Sequence, residues 1–316
     1  MTTLIVILWL VCSVFVIFEK KIVRMILWLF LSSIIASIIY LLLGSPDLAM
    51  AEATASAFVT IIFVIGFEKF FNLRDMKKYL KDEKEIEKEN KFKRYILPAI
   101  ISIGILVLFI NFAIPVEQND YLKNLILDRF TIDIGGENAV TAIYLGYRVY
   151  DTIFEALLLV IAVVAVVHMS NFDITKVNDG KHSELETSGM ALFLVRIVAP
   201  ITIIFGVYLI ANGFLSAGGG FQGGLAIACF FVCRFFIYDI YDLPIKKINR
   251  LEDFIFIIIV AMAALTIFAG LIQQVPYRFM TLAQEIYLFV MNALIGIKVA
   301  LGFIILFYRY VAIERN

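Results

Sequence analysis

The sequence predicts an all-α polytopic protein that crosses a lipid bilayer about nine times. Three observations carry that expectation. Of 316 residues, 62% are hydrophobic and 17% charged, with a mean hydropathy of +0.94, whereas a soluble domain averages roughly 45–50% apolar and about 25% charged. The excess is arranged in runs long enough to cross the hydrocarbon core, which takes ~20 mostly apolar residues per helix. The basic residues then alternate with those runs. Twenty of the 27 lysines and arginines fall on one side and four on the other, a bias that marks the cytoplasmic face.

The predicted spans, in order, are Leu4–Phe18, Met25–Leu43, Pro46–Phe67, Tyr95–Ile114, Asp151–Met169, Leu192–Ile210, Leu225–Ile240, Phe254–Ile272 and Glu285–Tyr308. Lys20, Lys21 and Arg24 close the first inside turn, so the N-terminus is expected outside. An odd number of spans then leaves the C-terminus in the cytoplasm. The inside stretch Lys69–Arg94 carries ten basic residues. Its Glu87/Lys91 and Glu89/Lys93 pairs have the spacing that supports a solvated helix. Leu73, Met76 and Leu80 lay an apolar stripe along it, for the membrane surface or a partner. The outer connection Pro115–Tyr150 is acidic, and its parts Tyr121–Phe130 and Asn138–Tyr150 are amphipathic enough to lie along the interface. These features divide the chain into blocks 1–94, 95–175 and 176–316, with three, two and four spans.

The stretch Asn212–Cys229 is the most unusual. Five of residues 218–224 are glycine, a density that weakens a helix and favours a break or a close approach. In lipid a broken backbone is tolerated only where protein or water covers it. The stretch is therefore a turn at the membrane surface or a fold-back packed against neighbouring helices.

Ionisable residues inside apolar runs are expensive and are functional candidates by default. Ser45 suits an N-cap, Pro46 the first helical position and Asp47 the first turn. Glu52 follows about 9 Å deeper at the helical rise. Alanines 49, 51, 53, 55 and 57 surround it and let another helix approach. Asp151 and Glu155 are four apart, with Arg148 placed to neutralise Asp151 at the interface. That leaves Glu155 inside its span. Lys298 sits between Gly296 and Gly302, deep in the last span, either titrating or permanently paired with a carboxylate. Asn292 and Glu285 are its candidate partners in the same helix.

Other chemistries find no support. The net charge is zero, so no nucleic-acid partner is implied. There is no phosphate-binding loop, nucleophile elbow, dinucleotide fingerprint or Cys/His metal spacing. No cofactor, metal or catalytic residue is expected, and the chain is not expected to be an enzyme itself. The N-terminal segment lacks the basic region of a cleaved signal peptide. Cys229 and Cys233 read as small packing residues.

Three segments resemble known antiporter pieces. Ala217-Gly-Gly-Gly-Phe-Gln-Gly-Gly224 resembles the glycine signature of MnhB, one of the smaller components of Mrp-type sodium/proton antiporters. Gly44-Ser-Pro-Asp-Leu-Ala-Met-Ala-Glu52 is similar to a motif in the C-terminal part of the family's large component, a part that membrane-bound hydrogenases carry as a separate small protein, MbhD. Asn138-Ala-Val-Thr-Ala-Ile143, together with Tyr147-Arg-Val-Tyr-Asp-Thr-Ile-Phe-Glu155, is similar to the piece that follows, MbhE. Their order matches the usual order of those pieces and coincides with the three blocks. The His-Gly-His and proline that usually precede the family's glycines are replaced by Asn212-Gly213-Phe214 and Ala217. This leaves Gly218, Gly219, Gly220, Gly223 and Gly224 a packing role, with Gln222 as a hydrogen-bonding member.

The resemblance implies a fused, non-catalytic component of an Mrp-type cation/proton antiporter, or of an Mrp-containing respiratory complex, in a prokaryotic cytoplasmic membrane. Its expected partners are other Mrp-type subunits, sodium and protons, membrane lipids and, in redox-driven relatives, a hydrogenase or ferredoxin-linked module. It places Glu52 and Glu155 on the ion path, and Asp47 carries over with them. Lys298 and Asp151 join them as candidates on the residues alone. The alternatives are a purely structural adaptor of the membrane arm and an independent secondary transporter.

Overall fold

The computed structural model describes residues 2–19, 21–70, 120–169, 189–235, 243–272 and 281–312, and their regular elements are all helical. They are α1 (Thr2–Phe18), α2 (Ile22–Leu42), α3 (Pro46–Phe70), α4 (Asp120–Asp133), α5 (Ala139–Ala142), a π-helical turn (Ile143–Tyr147), α6 (Val149–Met169), α7 (Gly189–Asn212), α8 (Gly220–Phe235), α9 (Ile245–Ile272) and α10 (Thr281–Ala312). Among the described residues, six helices are long and apolar enough to cross a membrane, namely α2, α3, α6, α7, α9 and α10, and two shorter ones, α1 and α8, are apolar. The chain is a multi-pass membrane protein. The predicted span Tyr95–Ile114, the charged stretch 71–94 and the end of the predicted span Leu225–Ile240 lie outside the described residues.

Two compact units make up the chain. Residues 1–66 and 129–316 form the larger, and 67–128 the smaller. Within the smaller, the described parts are the end of α3 and the start of α4, a helix with no buried side chain.

The larger unit is organised around α10. Of its apolar window 61% is buried, against 17–22% for the other five spans. Those five face outward with apolar side chains, as helices in lipid or against partner chains do. α8 packs on α7 and on α10, and α10 also meets α6, α7 and α9. Phe58 of α3 reaches Phe303 of α10 edge-on, with ring centroids 4.9 Å apart. α1 and α2 pair with each other, and the Phe15 and Trp28 rings stack at 4.8 Å.

Small residues set the close approaches. Gly219 has φ +151°, and a Cβ there would lie 2.6 Å from the Tyr144 hydroxyl. A Cβ at Gly224 would strike the carbonyl oxygen of Gly296 on α10, backbone against backbone. The glycine stretch is accordingly a short packed turn between two neighbouring helices. Gly213–Gly219 joins α7 to α8, and the Gly219 amide donates back to the Leu209 carbonyl at 3.1 Å.

The segment Asn138–Tyr150 has two faces: Thr141, Ala142 and Leu145 are fully buried within the unit, while Val140, Tyr147 and Tyr150 are exposed. The backbone widens at residues 143–147, where the Arg148 amide bonds to the Ile143 carbonyl at 2.7 Å. That i→i+5 bond turns Tyr144 and Leu145 inward, and such bulges recur at functional sites.

Candidate functional site

A polar cluster joins residues far apart in sequence. Asp47, in the first turn of α3, accepts through Oδ1 from Asn138 Nδ2 and from the Gly218 amide, both at 3.1 Å. Asn138 also donates to the carbonyls of Gly213 (3.1 Å) and Ser216 (2.9 Å), while its Oδ1 caps α5 through the Val140 and Thr141 amides. The Thr141 hydroxyl donates to the Gly213 carbonyl at 2.5 Å. The Tyr144 hydroxyl donates to Asn292 Oδ1 at 3.0 Å, and that oxygen also takes the Gly220 amide at 3.2 Å. Gln222 reaches the Asp47 carbonyl at 3.5 Å. Burial raises the Tyr144 phenol well above its ordinary pKa, so it stays protonated and remains a donor. Asn292 is fully buried, and its Nδ2 has no hydrogen-bond partner among the described residues.

The cluster satisfies the backbone groups that the α7–α8 turn leaves open, as a buried turn requires. It brings together Asp47, Gln222, Asn292 and the glycines singled out in the sequence. Asp47 is thereby fixed by two donors and acts first as a clasp between helices.

The charged candidates lie elsewhere. Glu52 is half-buried and accepts from the Ser33 hydroxyl of α2. Glu155 is exposed on α6 and has no ion-pair partner among the described residues. Arg148 pairs with Asp151 at 2.8 Å, both largely in the open, as the spacing predicts. Lys298 is fully buried and paired, but with neither predicted partner. Glu285 is exposed, and Asn292 turns to Tyr144 and Gly220. The partner is Glu252 of α9, whose Oε1 accepts from Lys298 Nζ at 2.6 Å, with the two side chains 1% and 0% exposed. The Phe256 ring lies 5.5 Å from the same ammonium. Among the described residues no cluster of His, Cys, Asp and Glu could hold a metal ion.

Glu252 and Tyr144 were not singled out in the sequence, and Asn138 and Thr141 stood in a resembling segment without a role of their own. Glu252 had a signal. Ile255, Ile259 and Ala263 are the buried stripe of α9, and Glu252 continues it one turn back at helical spacing. Starting the span at Phe254 cut it off. Asn138 comes after Gly135-Gly136-Glu137 and precedes a helical run, the pattern of an N-cap, though nothing local told of its three long-range acceptors.

Residues 190–314 match a family profile described as a domain related to the MnhB subunit of Na+/H+ antiporter, and residues 7–71 match the profile MbhD, described as one of the subunits of MBH. The chain is an MbhD–MnhB fusion. Its MbhD segment supplies Asp47, Ser33 and Glu52, and its MnhB domain supplies the glycine turn, Glu252, Asn292 and Lys298. An antiporter protein named mnhA2 from Staphylococcus saprophyticus is 27% identical over 139 residues, 43% of this chain and 16% of that protein. The mnhA2 of Staphylococcus epidermidis is 27% identical over 137 residues, 42% of this chain and 15% of that protein. The fusion thus spans only about a sixth of the length of these relatives. In fold it is similar to a chain of the Mrp complex from Dietzia sp. DQ12-45-1b, with TM-score 0.73 and 16% identity, covering 99% of this chain and 35% of that one. It is also similar to a chain of the archaeal membrane-bound sulfane sulfur reductase, with TM-score 0.55 and 23% identity, covering 69% of this chain and 97% of that one.

Proposed function

We propose that the fusion is a non-catalytic membrane subunit of a multi-subunit Mrp-type cation/proton antiporter, or of a respiratory complex containing such a membrane arm. In this reading it forms part of the sodium/proton path. One observation carries it. Two carboxylates, Glu52 and Glu155, sit within separate apolar spans of a chain built from antiporter-subunit domains. A carboxylate in a span is costly unless protein or water covers it. Glu155 therefore calls for a further chain beside α6. The chain takes nine spans, N-terminus outside and C-terminus in the cytoplasm, as the distribution of lysines and arginines favours. The membrane is the cytoplasmic membrane of a prokaryote, the partners are the other antiporter subunits, and a redox module joins them where electron transfer drives the ions.

The test is transport by the assembled complex in vesicles. Glu52→Gln and Glu155→Gln should each lower sodium-driven proton flux about a hundredfold or more, in line with loss of a positioned proton-transfer group, and leave assembly intact. Unchanged flux from both variants would sink the ion-path role. The second reading, a structural adaptor of the membrane arm, draws on the permanent bonding of Asp47 and would then be preferred.

A further inference from the structure

The buried pair Glu252–Lys298 belongs neither to the clasp nor to the exposed carboxylates. We propose that it is a proton-transfer element, so that the MnhB domain conducts protons and not sodium. This rests on the ion-path reading above and assigns one ion to one domain.

The chemistry at the pair decides the ion. A charged lysine offers only N–H donors and has no lone pair for a cation. With its ammonium 2.6 Å from Glu252 Oε1, Lys298 repels sodium from the carboxylate it holds. A proton is not excluded. It can pass along the Nζ–H···Oε1 bond, breaking the N–H bond of Lys298 as an O–H bond forms on Glu252. The pair is then a neutral amine and a neutral acid, with net charge zero before and after. Release of the acid proton to water and uptake of another by the amine restores the ion pair, one proton out for one proton in.

Placement gives both steps a direction. Glu252 stands where the polar start of α9 meets its apolar run. Lys246, Lys247, Arg250 and Asp253 around it are exposed, and Asn249 bonds to Asp253 at 3.4 Å. The acid is therefore within about a turn or two of water on that side. Along α10 from Lys298, the next buried polar residue is Asn292, about 9 Å away by helical rise. Tyr144, Thr141, Asn138 and Asp47 continue from it. Polar groups thus lie on both sides of the pair, and Phe256 is the apolar ring beside the ammonium.

Stability gives no competing reason for the pair. The desolvation of two charges roughly cancels their attraction, and an apolar pair of the same volume holds helices together as well or better.

Two variants test the proposal in the assembled complex in vesicles. Lys298→Arg keeps the positive charge and the ion pair but cannot deprotonate. The double variant E252M/K298M replaces the pair by apolar chains of similar length. The readouts are sodium-driven proton flux and exchange of radiolabelled sodium across the vesicle membrane. Proton flux should fall about a hundredfold or more in both, the contribution typical of a positioned proton-transfer group, while sodium exchange keeps its wild-type rate. Wild-type proton flux in an assembled Lys298→Arg or E252M/K298M complex overturns the proposal and leaves the pair a structural contact. Parallel loss of proton flux and sodium exchange from an intact complex also overturns it, because the domain then conducts sodium. The ion-path reading fails separately, if Glu52→Gln and Glu155→Gln leave flux unchanged.

Discussion

Replacing Asn138 by aspartate separates the clasp from an ordinary helix cap. Asp caps a helix as well as Asn, so a residue that merely caps α5 should tolerate the change. The clasp predicts otherwise. Nδ2 is the donor to Asp47, Gly213 and Ser216, and a carboxylate has no donor to offer. The Gly213 carbonyl keeps the Thr141 hydroxyl, while the Ser216 carbonyl loses a bond worth about 0.5–1.5 kcal/mol. The new carboxylate would also stand where Nδ2 lies 3.1 Å from Asp47 Oδ1. Two like charges at that separation repel by ~5 kcal/mol at an effective dielectric of about 20. Thermal midpoints of the purified complex, followed by loss of its size-exclusion peak after heating, should fall well below wild type at neutral pH. Asn138→Ser, which keeps a cap and adds no charge, should fall less. The sign with pH is fixed. The neighbouring charge raises the folded-state pKa of the introduced carboxyl above its unfolded value of about 3.9. The penalty is therefore absent in acid and grows as pH rises through that raised value. An Asn138→Asp complex that melts with wild type at neutral pH would refute the clasp.

Two further substitutions bracket the effects of packing and of exposed charge. Gly224→Ala drives a Cβ into the Gly296 carbonyl. Neither backbone can yield unless α8 parts from α10, so the same thermal assay should register a loss of about 1–3 kcal/mol. Arg148→Gln breaks an ion pair whose side chains are 59% and 41% exposed. Its thermal midpoint should stay within the shift expected of about 0.5 kcal/mol.

Most of the helices were legible because hydropathy at bilayer length is a strong local signal. Leu4–Phe18, Met25–Leu43 and Asp151–Met169 fall within α1, α2 with its C-cap Leu43, and α6. The Arg148–Asp151 pair was legible too, since a three-residue separation across the start of a helix brings the two side chains together. The cluster was half legible. Asp47, Gln222 and the glycines stood out by type, but Asn138 acquires its meaning from Gly213, 75 positions away. Glu252 was missed because its polar neighbours Arg250 and Asp253 made the start of α9 look like a surface loop. Pattern along one helix cannot say which helix lies opposite. For Lys298 that is the whole question, and its partner proved to be 46 residues upstream on another helix.

The central position of α10 bears on how the protein is made. A lysine at mid-helix adds about 2.5–3.5 kcal/mol to the cost of entering lipid on insertion scales, and α10 also carries the buried Asn292. The chain delivers α9 immediately before it, with eight residues between Ile272 and Thr281. Glu252 is therefore already in the nascent chain when Lys298 emerges. The two helices can leave the insertion machinery with their buried charges already paired, before α6, α7 and α8 close around them. Early termination between the two helices would strand a carboxylate in the membrane without its cation.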